Sequence, residues 1–160
     1  MALQVTKRTK AVAIAMSLAM PAEGLYLVSY GDIANPKLLT VCYGSTNNVD
    51  PNKTYTKEEC LDLLDEEMTD AIETVDRCVP NLPVHVLAAF GDAVYNMGPK
   101  IACNTKDSTA ARMLKAGDYI GACMQLPRWN KANFAGVMLP LPGLTKRRNA
   151  EMNVCLHGLT

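Results

Sequence analysis

The stretch TYTKEECLDLLDEEMTDAIETVDRC, Thr54 to Cys78, carries a long periodic signal from which the fold can be read outward. Thr56 followed three residues later by Glu59 is a capping box, in which each side chain satisfies an unpaired amide at a helix start. Beyond it, Leu61, Leu64, Met68, Ile72 and Val75 recur at intervals of three and four, which is one face of an amphipathic helix. The acids fall outside that face, and nine of the chain's sixteen lie between Lys57 and Cys78.

Downstream, Pro83 sits at a favourable first helical position and Gly98-Pro99 makes a stop. Between them VHVLAAFGDAVYN is apolar nearly all round and is expected to be the central buried helix. Ser108 to Ala116 reads as a short helix capped by Ser108 and ended by Gly117, and Asp118 to Leu126 as another ended by Pro127. Asn130 to Leu144 reads as loop, on Pro140, Pro142 and Gly143, and Thr145 to Leu156 as the last helix, with Gly158 just past its end. Upstream, Glu23 to Tyr30 reads as a helix end and a turn loosened by Gly24. Leu38 to Tyr43 is β-branched and apolar, and the turn cluster Gly44 to Asn48 follows it, suggesting a small hairpin or three-stranded sheet. The expected class is α+β: a mostly helical domain with a small antiparallel β-sheet near the N-terminal third.

A chain of 160 residues fits one domain with a self-sufficient core. Net charge is zero, yet nine of the sixteen basic residues lie beyond Gly98. That asymmetry suits an anionic polymer such as the bacterial cell wall, or is a merely solvated set of charges. Six cysteines (Cys42, Cys60, Cys78, Cys103, Cys123 and Cys155) stand 18 to 32 residues apart with no C-x-x-C, and His85 and His157 lie far from any cysteine pair. Three disulfides in an oxidising compartment are expected, with the pairing left open by sequence, and neither a metal nor a cofactor. At the N-terminus, Lys7, Arg8 and Lys10 precede the apolar run Ala11 to Ala22, the outline of a secretory signal that is short for a membrane span. A cleaved signal, a transient anchor that later folds as the first helix, and an ordinary buried helix all fit this run.

Glu23 ends that run, Asp32 follows in a turn, and Thr40 lies on the strand. An acid at a helix end facing a loop carboxylate is what glycoside hydrolysis needs: one group protonates the leaving oxygen, and the other, with a hydroxyl, holds the attacking water. Apolar neighbours favour the protonated acid where they also surround it in space.

Several stretches then come in a fixed order. Glu23-Gly24-Leu25, Tyr30-x-Asp32 and Thr40-Val41-Cys42-Tyr43-Gly44-Ser45-Thr46 are followed by Ala88-Ala89-Phe90 and Tyr95-Asn96-Met97-Gly98. Arg128-Trp129 and Thr145-Lys146-Arg147-Arg148-x-Ala150-Glu151 come last. Together they resemble the phage-type lysozymes (glycoside hydrolase family 24) over Glu23 to His157, and within them the exported signal-anchor endolysins. The resemblance implies a lysozyme-like fold and hydrolysis of the β-1,4 bond between N-acetylmuramic acid and N-acetylglucosamine in peptidoglycan, with inversion, for host lysis. Glu23 becomes the general acid, and Asp32 and Thr40 hold the water. Tyr95, Asn96, Trp129 and Arg148 become candidate substrate contacts. For Arg148 the family position is near the acid, against a surface role; Arg147 is expected to be solvated. For Trp129 a core role competes with sugar stacking. His85 and His157 are expected to be structural.

The chain departs from the pattern in two extra residues before Thr40, around Asn35-Pro36-Lys37, and in Ser45 where the family often has His. The resemblance also implies the pairs Cys42–Cys60 and Cys123–Cys155, leaving Cys78 with Cys103. Residues 1–22 become a signal-anchor-like segment that refolds as the first helix, and 23–160 a single catalytic domain. That domain would have a β lobe over about 30–55 and a helical lobe over about 56–160. Expected partners are peptidoglycan and, transiently through residues 7–22, the inner membrane. No nucleic acid is expected, and the enzyme would be a monomer, membrane-tethered and then free in the host periplasm. A lytic transglycosylase, which needs no water-holding Asp and Thr, and a non-catalytic disulfide-rich secreted wall-binding protein are the competing functions.

Overall fold

A computed structural model of the protein describes residues 2–31 and 37–159, with side chains from residue 6 onward. The elements run α1 (Ala2–Glu23), β1 (Tyr26–Gly31), β2 (Leu39–Cys42), α2 (Lys57–Cys78), α3 (Val84–Met97) and α4 (Lys100–Cys103). They continue through α5 (Thr109–Ala116), α6 (Tyr119–Gln125), a single 3-10 turn (Leu126–Arg128), β3 (Lys131–Phe134), β4 (Val137–Pro140) and α7 (Pro142–His157). The fold is α+β and lysozyme-like, with the helices segregated from two small antiparallel sheets.

The capping box that starts α2 is present in both directions. The Glu59 amide donates to Thr56 Oγ1 and the Thr56 amide to Glu59 Oε1, each at 3.1 Å. Leu64, Met68, Ile72 and Val75 are buried as the period requires. Cys60 takes the inward place expected for Leu61, which is half-buried, because the disulfide fixes that turn against β2. The apolar α3 is the hub, buried without interruption from Val86 to Val94, and α1, α2 and α7 pack around it. Gly91 permits the crossing of α2 over α3, since a Cβ there would collide with Ile72 Cδ1.

Helix α1 docks through small side chains. Ala11, Ala15 and Ala19, one per turn, are fully buried. Lys7 Nζ donates to the Leu82 carbonyl at 2.7 Å and Arg8 Nε to Asp76 Oδ2 at 2.8 Å, so two of the cations that precede the apolar run are bound to the body of the molecule. Among the described residues no helix is long and apolar enough to cross a membrane.

Three local expectations are corrected. Residues 26–31, read as a turn, form β1, which pairs antiparallel with β2 in the register Tyr26↔Cys42, Tyr30↔Thr40 and Gly31↔Leu39. Residues 131–140, read as loop, form the hairpin β3–β4, closed by Ala135 (φ 51°) and Gly136 (φ 86°). Two successive positive-φ residues match the right-handed twist of paired strands, and Pro140 is tolerated at a sheet edge. Helix α7 begins at Pro142 rather than Thr145, because proline's fixed φ suits a first helical turn.

Disulfides join Cys42 to Cys60, Cys78 to Cys103 and Cys123 to Cys155, the pairing that the resemblance implies. They tie β2 to α2, α2 to α4 and α6 to α7 across 18, 25 and 32 residues. Each contributes about 2–4 kcal/mol by limiting the unfolded chain.

Candidate active site

Glu23 is the last residue of α1. Gly24 follows in the left-handed region (φ 72°), and its amide closes the helix on the Met20 carbonyl at 3.2 Å. The stop turns the chain into β1 and leaves the Glu23 side chain, 25% exposed, at the edge of a cleft of about 550 Å³. Gly44, Glu67, Asp70, Tyr95 and Asn96 line the same cleft. A neighbouring depression of about 520 Å³ along the acidic face of α2 shares Asn47, Glu67 and Asp70 with it. The two therefore adjoin along α2.

On one side Glu23 meets Arg147. Arg147 donates from Nη1 to Glu23 Oε1, from Nε to Asp92 Oδ2 at 3.0 Å and from Nη2 to Asp92 Oδ1 at 2.8 Å. Asp92 is fully buried in α3, so this fork is held rigidly. Burial alone would disfavour the Arg147 cation, but its hydrogen bonds and the charges of Asp92 and Glu23 outweigh that, and it stays protonated. The expectation for the two arginines is therefore corrected. Arg147, expected in solvent, grips the acid. Arg148, expected beside the acid, is fully buried, pairs with Glu151 and donates from Nη2 to Asn96 Oδ1 at 2.8 Å. Consecutive helical residues point about 100° apart, so one step along α7 exchanges the two roles.

On the other side lies a tight turn after β2. Val41 and Ser45 exchange both backbone hydrogen bonds (2.9 and 2.8 Å), which throws Gly44 toward the acid. Gly44 has φ 94°, and a Cβ there would stand 3.1 Å from Glu23 Oε2. Only glycine suits both the backbone and the gap. The turn is fastened below by side chains: the Ser45 hydroxyl donates to Glu67 Oε2 at 3.2 Å, and Tyr95 Oη donates to the Tyr43 carbonyl at 2.9 Å, with Glu67 Oε2 at 3.5 Å. Burial pushes the Glu67 carboxyl above the usual carboxylate range, against the hydrogen bonds from Ser45 and Tyr95. Burial, with the charges of Glu67 and Glu23, pushes the Tyr95 phenol up, so its hydroxyl remains neutral.

Of the other sequence-derived candidates, Thr40 lies half-buried on β2 opposite Tyr30, and Asp32 lies outside the described residues. Tyr95 and Asn96 line the cleft. Because a guanidinium only donates, Asn96 turns its oxygen to Arg148 and keeps its Nδ2 donor for the cleft. Trp129 packs half-buried against the core and is not among the cleft-lining residues, which favours its core role over sugar stacking. His85 and His157 meet edge to face at 5.9 Å, far from this chemistry in role. Among the described residues no group of His, Cys, Asp or Glu could hold a metal ion. Asp92, Gly44 and Glu67 carry weight that sequence reading did not give them. Of these, Asp92 had a signal, a lone carboxylate inside an otherwise apolar helix, which demands a buried cation.

The fold is lysozyme-like, and the family described as Phage lysozyme matches residues 20–151. The chain belongs to that family. Among its relatives, the "SAR-endolysin" of Bacteriophage PS119 is 37% identical over 138 residues, covering 85% of this chain and 77% of the relative. That of Enterobacteria phage P21 is 35% identical over 138 residues, covering 85% and 78%. The crystal structure of the active form of P1 phage endolysin Lyz superposes with a TM-score of 0.79 over 92% of this chain and 85% of that one, at 24% identity, a likeness of fold.

Proposed function

We propose that this endolysin is an N-acetylmuramidase, hydrolysing the β-1,4 bond between N-acetylmuramic acid and N-acetylglucosamine in peptidoglycan to lyse the host. One observation carries the reading: the part-buried Glu23 carboxyl is held by one oxygen on Arg147 while its other oxygen stands beside Gly44 at the edge of the cleft. The protonated Glu23 gives its proton to the glycosidic oxygen as the bond to C1 breaks. Asp32 and Thr40 hold a water on the opposite face; its oxygen bonds to C1, its proton passes to Asp32, and the anomeric centre inverts. Tyr95 and Asn96 position the sugars, the latter through its free amide donor.

Residues 1–22 act as a signal anchor that carries the enzyme to the periplasm, tethered, before folding as α1. The names of the SAR-endolysin relatives support this part. A mature protein beginning at Glu23 or later would overturn it.

The test of the chemistry is Glu23→Gln beside the wild type in a turbidity assay on bacterial walls. Clearing is expected to fall about 10²–10⁴-fold with circular dichroism unchanged. Retained clearing would overturn the role of Glu23. Mass spectrometry of the wild-type digest is expected to give reducing ends; 1,6-anhydro ends would instead make the enzyme a lytic transglycosylase.

A further inference from the structure

The β3–β4 hairpin takes no part in the cleft. Directly opposed residues share a face of a two-stranded ribbon, so Ala132–Leu139 and Phe134–Val137 lie on one side and Lys131–Pro140 and Asn133–Met138 on the other. The first side is wholly apolar. Phe134, Val137, Met138 and Leu139 are 50%, 56%, 56% and 46% exposed, in a hairpin whose backbone pairing is complete. Among the described elements none packs extensively on the ribbon. Exposed apolar side chains gathered on one projecting element mark a contact with another apolar phase.

The charge around the hairpin says which phase. From Tyr119 to Ala150 the chain holds no Asp or Glu. Arg128, Lys131 and Lys146 are exposed at the hairpin's base. The Leu141 amide donates to the Asn130 carbonyl at 2.9 Å and Asn130 Nδ2 to Thr145 Oγ1 at 2.9 Å, which pins that base to the first turns of α7 and brings Lys146 to the same end. An apolar hairpin beside three exposed cations, in a stretch of chain without Asp or Glu, complements the interface of a bilayer that contains anionic phospholipid. The apolar side chains enter the acyl boundary while the cations reach the phosphates. Peptidoglycan, a polar glycan with charged peptides, offers no such layer.

We propose that the β3–β4 hairpin is a membrane-docking element that seats the folded enzyme on an anionic lipid surface, separately from the N-terminal segment, whose Ala11, Ala15 and Ala19 are already spent in the core. The proposal stands apart from the wall chemistry, and its test contains no wall. Full-length protein is mixed with phosphatidylcholine vesicles with and without phosphatidylglycerol, and bound protein is sedimented. Trp129, the lone tryptophan, lies just before the hairpin and reports its position through quenching by brominated lipid.

Binding is expected on the anionic vesicles, with Trp129 quenched. Phe134→Ser/Val137→Ser/Leu139→Ser should lower partitioning at least about tenfold. Lys131→Glu/Lys146→Glu should lower it about tenfold. Clearing of isolated walls should be unchanged in both. The proposal is overturned if the apolar variant partitions like the wild type, or if wild-type binding leaves Trp129 unquenched, since contact then runs through another segment. It is equally overturned if the apolar variant loses only a dimer seen without lipid, which would give the face to a second copy of the chain.

Discussion

The two walls that flank Glu23 are built from different materials. On the α7 side, Arg147 and Asp92 form a buried ionic fork in which removing either member leaves a bare ion in the core. On the β2 side, Ser45, Glu67 and Tyr95 form a partly exposed hydrogen-bonded brace around the Gly44 turn, and one member, Glu67, holds its proton more tightly than a free carboxyl does. The first wall fixes where the acid sits; the second fixes how closely the backbone approaches it. Rigidity at this site thus comes from two sources, one ionic and one hydrogen-bonded.

Breaking the ionic wall should cost the most. Asp92→Ala leaves Arg147 buried with Glu23 alone, and urea unfolding should show a loss of about 3–5 kcal/mol. An unchanged midpoint would mean that the fork is not what secures α3 to α7. Next comes the approach of the turn: Gly44→Ala puts a side chain at positive φ and against Glu23 Oε2, for about 1–3 kcal/mol of stability. Its wall-clearing rate should drop more than that loss of folded protein explains. Ser45→Ala removes a single buried hydroxyl from the brace and should cost about 1 kcal/mol in the same assay.

The mildest change is the one that isolates pH. Because Glu67 is raised in the folded state, the native protein binds that proton more tightly than the unfolded chain. Wild-type stability should therefore decline as pH rises from the ordinary carboxylate range through the raised folded value. Glu67→Gln should flatten this decline in thermal midpoints taken between about pH 4 and 7.

Much of the fold was legible because it is written in local chemistry. The Thr56–Glu59 box, the unbroken apolar run of α3, and the Ser108 and Gly117 caps each act within a turn or two of themselves. β1 was not legible, since its apolar side chains are exposed on both faces and so show no alternation. The hairpin at 131–140 was hidden by prolines that mark its edge and the start of α7 rather than a loop. In the site, Glu23 was legible from its order among other stretches. The choice between Arg147 and Arg148 was not, because α7 has no clear polar and apolar face, and only the position of Asp92 on a different helix decides it.

Finally, the three covalent cross-links span Cys42 to Cys155, and none reaches the first 23 residues. Their loops, 42–60, 78–103 and 123–155, constrain the unfolded chain downstream of α1 and leave α1 itself without a cross-link. Helix α1 is therefore kept by non-covalent contacts: the packing of Val12 and the three alanines, the Lys7 and Arg8 hydrogen bonds, and the Glu23–Arg147 pair. The helix that carries Glu23 is thereby joined to a covalently stapled body by packing and charge only, and the position of its carboxyl depends on how well that packing holds.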